Sequence, residues 1–315
     1  LLDLTGELLE VRASRGLSQS FLSSTAIKVG EGIIGSCFSQ RLPISVVDAR
    51  KDPRTKYTSL VKREKLAGLL AVPIMQRGRP IGVITIYTSK PRDFSQDEID
   101  LLSTFASQAS IAIENAKLYA EMKRQYLSMV MALAAAIEAK DSYTHGHSTK
   151  VMEYAVKIGE ELGLSEDEIE TVRYAGLLHD IGKIGIKDII LTKEGHLTEE
   201  EINELHRHPE YGASIMERVE ILKEIAPLTL YHHERYDGTG YPLGLKGDQI
   251  PLGARILAVA DTYDAMIADR PYRKAFPFEY VKHEMKKAAG TQLDPEIVKI
   301  FFEILRREGV GNQSS

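Results

Sequence analysis

Leu177-Leu178-His179-Asp180-Ile181-Gly182-Lys183 is the stretch around which the chain is organised. An apolar helix end delivers a histidine and an aspartate side by side, then a glycine and a lysine. The His-Asp pair can put two different donor types on adjacent metal ions. Gly182 is read as the residue that lets the backbone turn out of the helix. Lys183 sets a fixed positive charge near whatever those metals hold. Downstream segments read as further ligands or as charge around the site, and upstream segments as a device for controlling it.

The histidines beyond this stretch fall into two groups. His147 opens a helix, His208 precedes Pro209, and His232-His233 is followed by Glu234. Asp261 lies in the apolar run Ala254–Met266, where an unpaired carboxylate would be costly to bury. A metal cluster offsets that cost. His145, His196, His206 and His283 read as ordinary surface or hydrogen-bonded residues. His206 and His208 lie two apart on a helix, so only one of them can point inward.

The ligand arithmetic suits two ions. His147, His179, Asp180 and Asp261 serve one, and His208, His232 and His233 the other, with Asp180 bridging. Positions stay open for an attacking hydroxide and for substrate oxygens. Imidazole and carboxylate ligation without thiolate suits iron or manganese, with zinc, nickel or cobalt also compatible. Two ions about 3.5–4 Å apart are the arrangement for phosphate ester hydrolysis.

Composition sets the frame. The 315 residues are enough for about two domains. A hydrophobic fraction of 43% and a charged fraction of 27% describe an ordinary globular protein. The net charge of −5 argues against nucleic acid as a partner. Cys37, the single cysteine, cannot form an internal disulfide, and we expect a cytoplasmic protein. No apolar run approaches the roughly 18 residues of a membrane span. The chain begins at Leu1 rather than Met, so we expect further residues upstream.

Up to about residue 95, short apolar strands alternate with turn signals. Leu70–Ile74 and Ile81–Tyr87, with Gly78-Arg79-Pro80 between, predict an antiparallel hairpin. Its near-continuous apolar content predicts burial on both faces, with helices packed on the sheet. Ser95 before Asp97 and Glu98 is a helix start. No proline or glycine then intervenes until about Lys140, so the helix has room to run about 65 Å. Leu102, Ala106, Ala109, Ile113, Ala116 and Met122 recur on it, with Tyr119 and Tyr126 near its exposed middle. We expect a parallel coiled coil joining two protomers. Beyond Gln125 the chain reads as helices with good caps, such as Ser165 before Glu166 and Thr198 before Glu199. The expected fold is an α+β N-terminal domain joined by a long helix to an all-α bundle with its metal site in the core.

The first 118 residues resemble a GAF domain through Gly30–Gly35, Asp48 with Asp52-Pro53-Arg54, Leu70–Ile74, Ile81–Ile84 and Phe94-Ser95. The resemblance implies a sensory domain, of a family that binds cyclic nucleotides, haem, bilins or other small molecules, or simply dimerises. Its ligand here is not legible, and Cys37 reads as a core residue rather than a tetrapyrrole attachment. His179–Gly185, His232-His233-Glu234-Arg235-Tyr236-Asp237-Gly238-Thr239-Gly240-Tyr241-Pro242, Asp261–Met266 and Asp269–Arg273 are similar to the HD-GYP subfamily of HD phosphohydrolases over residues 127–308. This resemblance implies hydrolysis of cyclic di-GMP to pGpG and on to GMP. Implied boundaries are 1–96 for the GAF domain, its last helix running to about 118, 97–126 for the linker helix and 127–312 for the HD-GYP domain.

On that substrate, Lys183, Arg270, Arg273 and Lys274 counter the phosphodiester charges. Tyr241 offers a hydroxyl and an aromatic face, Asp264 orients Lys183 or Arg270, and Gly238 and Gly240 free the loop to approach a ligand. Asp180 and Lys183 carry the catalysis. Some members hold a third metal through a glutamate four residues before the first histidine ligand. That place is Tyr143 here, with Glu138 and Asp141 nearby, so two metals are favoured over three. The alternatives are a catalytically weak cyclic di-GMP receptor that signals by protein contacts, and a hydrolase of another cyclic dinucleotide such as cyclic GMP-AMP.

Overall fold

The structure, a computed structural model, describes residues 1–18, 21–22, 26–140, 146–193, 195–269 and 274–310. Its compact units are Leu1–Met122 and Lys123–Ser315.

In the first unit, β1 (Leu8–Leu9) pairs antiparallel with β2 (Ile27–Lys28). After α1 (Gly32–Gln40), β3 (Ile44–Val46) begins a three-stranded antiparallel sheet. It is completed, beyond α2 (Thr58–Arg63), by β4 (Leu69–Gln76) and β5 (Arg79–Tyr87), with β4 in the centre. The hairpin turn is Arg77-Gly78, both at positive φ, one residue earlier than the Gly-Arg-Pro sequence suggests. Two consecutive left-handed residues match the twist of the strands they join. Arg79 and Pro80 therefore open β5, and the register shifts where Pro80 meets Met75. Because side chains alternate along a strand, β4 serves two cores. Leu69 and Ala71 pack with Ile33, Cys37 and Val61. Leu70, Val72 and Ile74 pack with Phe94, Leu102 and Ala106. Cys37 is fully buried, and burial pushes its thiol up to about 12.

α3 (Gln96–Lys140) runs unbroken for 45 residues. Ser95 and Glu98 close its N-terminus reciprocally: the Ser95 amide donates to Glu98 and the Glu98 amide to Ser95 Oγ. Leu102 and Ala106, expected on an intermolecular seam, lie instead beneath the sheet of their own unit. The exposed apolar residues of α3 include Tyr119 and Met122, both expected there, together with Leu101, Phe105, Met129 and Leu133. Tyr126 packs edge-on against Tyr174, ring centroids 5.2 Å apart.

The second unit is helical among its described residues. α4 (His147–Glu161) and α5 (Glu166–Leu178) pack closely, since a Cβ on Gly176 would stand 2.7 Å from Met152 Cα. A 3-10 turn (Ile181–Gly185) follows, then α6 (Asp188–Leu191), α7 (Glu199–Leu205), α8 (His208–Met216) and α9 (Ala226–Tyr231). The chain ends with α10 (Leu252–Ile267), α11 (Phe278–Ala288) and α12 (Pro295–Arg307). Capping boxes start α5 at Ser165 and α7 at Thr198. One core joins Val151, Ile158, Leu177, Leu257, Val281 and Phe301. Tyr154, Tyr263 and Phe301 meet edge-on within it. The helix ends left around that core are where the histidines gather.

Candidate metal centre

Each inward histidine is aimed by the backbone nearest to it. His179 follows the last turn of α5, and its Nδ1 lies 2.8 Å from the carbonyl of Gly176. His208 opens α8 with Nδ1 2.7 Å from Leu205 O, and His232 follows α9 with Nδ1 2.6 Å from Thr229 O. A carbonyl only accepts, so Nδ1 carries the proton and Nε2 keeps a lone pair for a ligand. His147 is aimed differently. Its Nδ1 is 2.7 Å from Asp264 Oδ2, and its Nε2 is 3.2 Å from Asp261 Oδ1.

Two trios of donor atoms result, each within 4.8 Å internally: His147, His179 and Asp180, and His208, His232 and His233. Asp180 stands between them. Its Oδ2 is 3.5 Å from His179 Nε2 and its Oδ1 is 3.4 Å from His208 Nε2. Five imidazoles and two carboxylates, without a thiolate, are a donor set that fits borderline divalent metals.

The electrostatics are divided. Burial drives the pKa of His208, His232 and His233 down, His233 to about 3, and the neighbouring histidines add to the effect for each. They are neutral donors. Burial also disfavours a charged His147, yet Asp261 and Asp264 at its two nitrogens outweigh it and raise its pKa to about 10. Burial alone would raise the Asp180 carboxyl. Lys183 first, then the surrounding histidines, hold it well below the usual range. Asp261 is depressed likewise against its own burial, chiefly by His147.

Lys183 Nζ lies 2.8 Å from Asp180 Oδ2, so the lysine borders the cluster. Gly182 has a different role from the expected one. Its φ is not left-handed, so the turn does not require glycine. What requires it is proximity, because a Cβ there would stand 1.8 Å from His208 O. Asp264, expected near Lys183 or Arg270, is buried against His147 instead. Lys274 pairs with Asp269 at 3.0 Å and its side chain is 92% exposed. Arg270 and Arg273 lie outside the described residues, as do Asp141 and Tyr143. Glu138 is occupied: its carboxylate accepts from the amides of Gly146 at 2.8 Å and Ser148 at 2.7 Å, capping the helix that His147 begins.

Tyr241 leans over His233, ring centroids 5.0 Å apart. Burial, then the Asp180 and Asp261 carboxylates, raise the pKa of its hydroxyl. Two residues that sequence reasoning passed over hold it there. His206, read as a surface histidine, stacks flat on Tyr241 at 4.0 Å and 16°. Glu234 is buried and accepts from the amides of Leu243 at 2.7 Å and Leu245 at 3.0 Å, closing the Gly-Tyr-Pro loop. Gly240 serves that loop by close approach to its own backbone rather than to a ligand, since a Cβ would meet Arg235 N at 2.2 Å. Glu234 stands in the His232–Pro242 run that carries the resemblance, where the sequence assigns it no role of its own.

The family model of the HD domain matches residues 131–297, and that of the GAF domain matches residues 1–114. A relative named cyclic di-GMP phosphodiesterase response regulator RpfG, from Xanthomonas campestris, is 36% identical over 237 residues, covering 72% of this chain and 63% of its own length. A cyclic di-GMP phosphodiesterase of Thermotoga maritima is 43% identical over 169 residues, covering 53% of this chain and 46% of its own. A 3'3'-cGAMP-specific phosphodiesterase 3 of Vibrio cholerae is 38% identical over 197 residues, covering 62% and 43% respectively. The chain thus spans between 43% and 63% of the length of these relatives. No described helix is long and apolar enough to cross a membrane.

Proposed function

The chain belongs to the HD domain family, and on that premise we propose that it is a metal-dependent phosphodiesterase hydrolysing cyclic di-GMP to pGpG, and on to GMP, under the control of its GAF domain. The observation that carries the reading is Asp180, whose two oxygens face one histidine of each trio. His147, His179 and Asp261 would hold one ion and His208, His232 and His233 the other, with Asp180 shared. Iron suits this mixed donor set, with manganese second. Two ions are favoured over three because the Glu138 carboxylate is taken up by backbone amides. Ions in such a pair neutralise phosphate charge and lower the pKa of water.

The chain's own groups do the rest. Asp180 fixes the spacing of the two halves of the site. Lys183 presents its ammonium beside Asp180, where it stabilises charge growing on the phosphoryl oxygens and supplies a proton to the departing ribose oxygen. Tyr241 adds a hydroxyl and a ring face at the rim. Arg270 and Arg273 are assigned to the substrate phosphates on chemistry alone.

Residues 1–96 serve as sensor, 97–126 as linker helix and 127–312 as the phosphohydrolase, in the cytoplasm. A cavity of about 460 Å³ in the first unit, lined in part by Phe21, Ile33, Tyr57 and Tyr87, is large enough for a small-molecule ligand. The linker helix supports a homodimer. Leu101, Phe105, Tyr119, Met122, Met129 and Leu133 fall on one heptad seam and are each 48–65% exposed. The cGAMP-specific relative motivates a second reading, in which cyclic GMP-AMP is the substrate.

One set of experiments tests these readings. Protein purified without oxygen is assayed for metal by elemental analysis and for product from cyclic di-GMP, cyclic GMP-AMP and cyclic di-AMP. Two metals per chain, and cyclic di-GMP turned over fastest, are expected. Asp180→Ala should lose metal and turnover together, whereas Lys183→Ala should keep metal and turn over slowly. Normal turnover by a metal-free Asp180→Ala protein would sink the mechanism.

A further inference from the structure

The 3-10 turn that carries Lys183 ends with several carbonyls converging on one point. Lys140, the last residue of α3, reaches that point from 43 to 46 residues upstream. Its Nζ lies 3.2 Å from Lys183 O, 3.0 Å from Ile184 O and 2.6 Å from Ile186 O. An ammonium has three N–H donors, and three carbonyls receive them. A cation at the carbonyl end of a helical turn is also favourably placed with respect to the turn's own dipoles. The exposed Asp188 carboxylate at 3.3 Å adds little, because it stands mostly in solvent.

We propose that Lys140 is a positioning residue for Lys183. By gripping the carbonyl of Lys183 and those of Ile184 and Ile186, it fixes the backbone from which the Lys183 side chain reaches Asp180. The partners of Lys140 among the described residues are these three carbonyls and Asp188, so its influence on the cluster runs through the backbone of Lys183. The proposal rests on the phosphodiesterase reading for the role of Lys183, but its geometry does not. The same helix turn supplies Glu138, which caps the helix begun by His147. The last turn of α3 therefore holds both the first histidine and the lysine of the site, and a shift of that turn would move both.

The test is a double-mutant cycle on metal-loaded full-length protein. Lys140→Met removes the donors and keeps the length of the side chain, while Lys140→Arg restores donors. Lys140→Met should lower kcat for cyclic di-GMP by about 10- to 100-fold, as a displacement near 1 Å does, with metal content and KM unchanged. Lys140→Arg should recover most of the rate. In a Lys183→Ala background, Lys140→Met should cost nothing further, because the group it positions is gone. Multiplying effects in the double variant would overturn the proposal. So would a Lys140→Met protein with wild-type kcat, or one whose rate falls only in step with its metal. Wild-type, metal-replete protein inactive on every cyclic dinucleotide would instead refute the substrate reading. The cycle would then be read on bis(p-nitrophenyl) phosphate, a simple phosphodiester, with the same outcomes deciding the role of Lys140.

Discussion

Replacing Gly182 by alanine adds a single methyl group where the backbone of α8 already passes. The new Cβ would stand 1.8 Å from His208 O, 2.5 Å from Gly212 N and 2.8 Å from His208 C. Ordinary contact begins at 3.4 Å, so the 3-10 turn and α8 must separate by about 1.6 Å at this point. All three obstacles are main chain, and no rotamer change can relieve them. Overpacking of this kind costs about 1–3 kcal/mol, which for a unit the size of the C-terminal one lowers Tm by on the order of 5 °C. The larger effect is on the site. His208 Nε2 faces Asp180 Oδ1 across 3.4 Å; Asp180 directly precedes the 3-10 turn and His208 opens α8, the two elements being pushed apart. Metal–ligand distances tolerate roughly 0.2 Å, so the His208 trio should lose its ion. Elemental analysis should find about one metal per chain in place of two, and cyclic di-GMP hydrolysis should fall by at least about 100-fold. Differential scanning calorimetry of the same sample shows whether the variant is folded. A folded Gly182→Ala protein with full metal content and wild-type turnover would refute the idea that glycine is required here by contact.

Asp264→Asn should keep a hydrogen bond to His147 but remove the carboxylate that holds the proton on its Nδ1 and orients the ring, weakening metal retention about 10- to 100-fold in chelator competition; unchanged retention would mean that Asp264 only fills space. Cys37 yields a pH prediction. Burial pushes its thiol up from the ordinary cysteine range to about 12, so the folded state holds its proton longer. The associated stability is complete below about pH 9 and is lost as pH rises towards 12; urea midpoints should fall across that window less steeply in Cys37→Ala, and iodoacetamide at pH 8 should label only unfolded protein. Tyr119→Glu with Met122→Glu places like charges on the exposed seam of α3 and should convert a dimer to monomer by light scattering, while a wild-type protein already monomeric at high concentration would dispose of the seam.

The gathering of the histidines was legible where a helix boundary is marked beside them, as by Gly146 before His147 and Pro209 after His208. The near-continuous apolar run along β4 likewise announced a doubly buried strand. What the sequence did not disclose were functions that depend on which distant main-chain groups are left without partners. Glu138 and Glu234 read as charged residues near a site, yet each closes two backbone amides. Lys140 read as a helix end. His206 was set aside because nothing local tells that Tyr241, 35 residues on, will lie flat against it. On α3, Leu102 and Ala106, expected between protomers, are buried in their own unit, while Leu101 and Phe105 are the exposed pair. Both sets recur every three or four residues, and periodicity alone does not say which face the sheet will claim.

The four aimed histidines fall into unequal classes. His179, His208 and His232 each take their orientation from a carbonyl three residues back, so any fragment that forms the adjoining turn already presents the correct nitrogen. His147 takes its orientation from Asp264, 117 residues away. The site is thus part inscription and part appointment: three of its histidines are spelled out locally, and the fourth is aimed only after α4 and α10 have met.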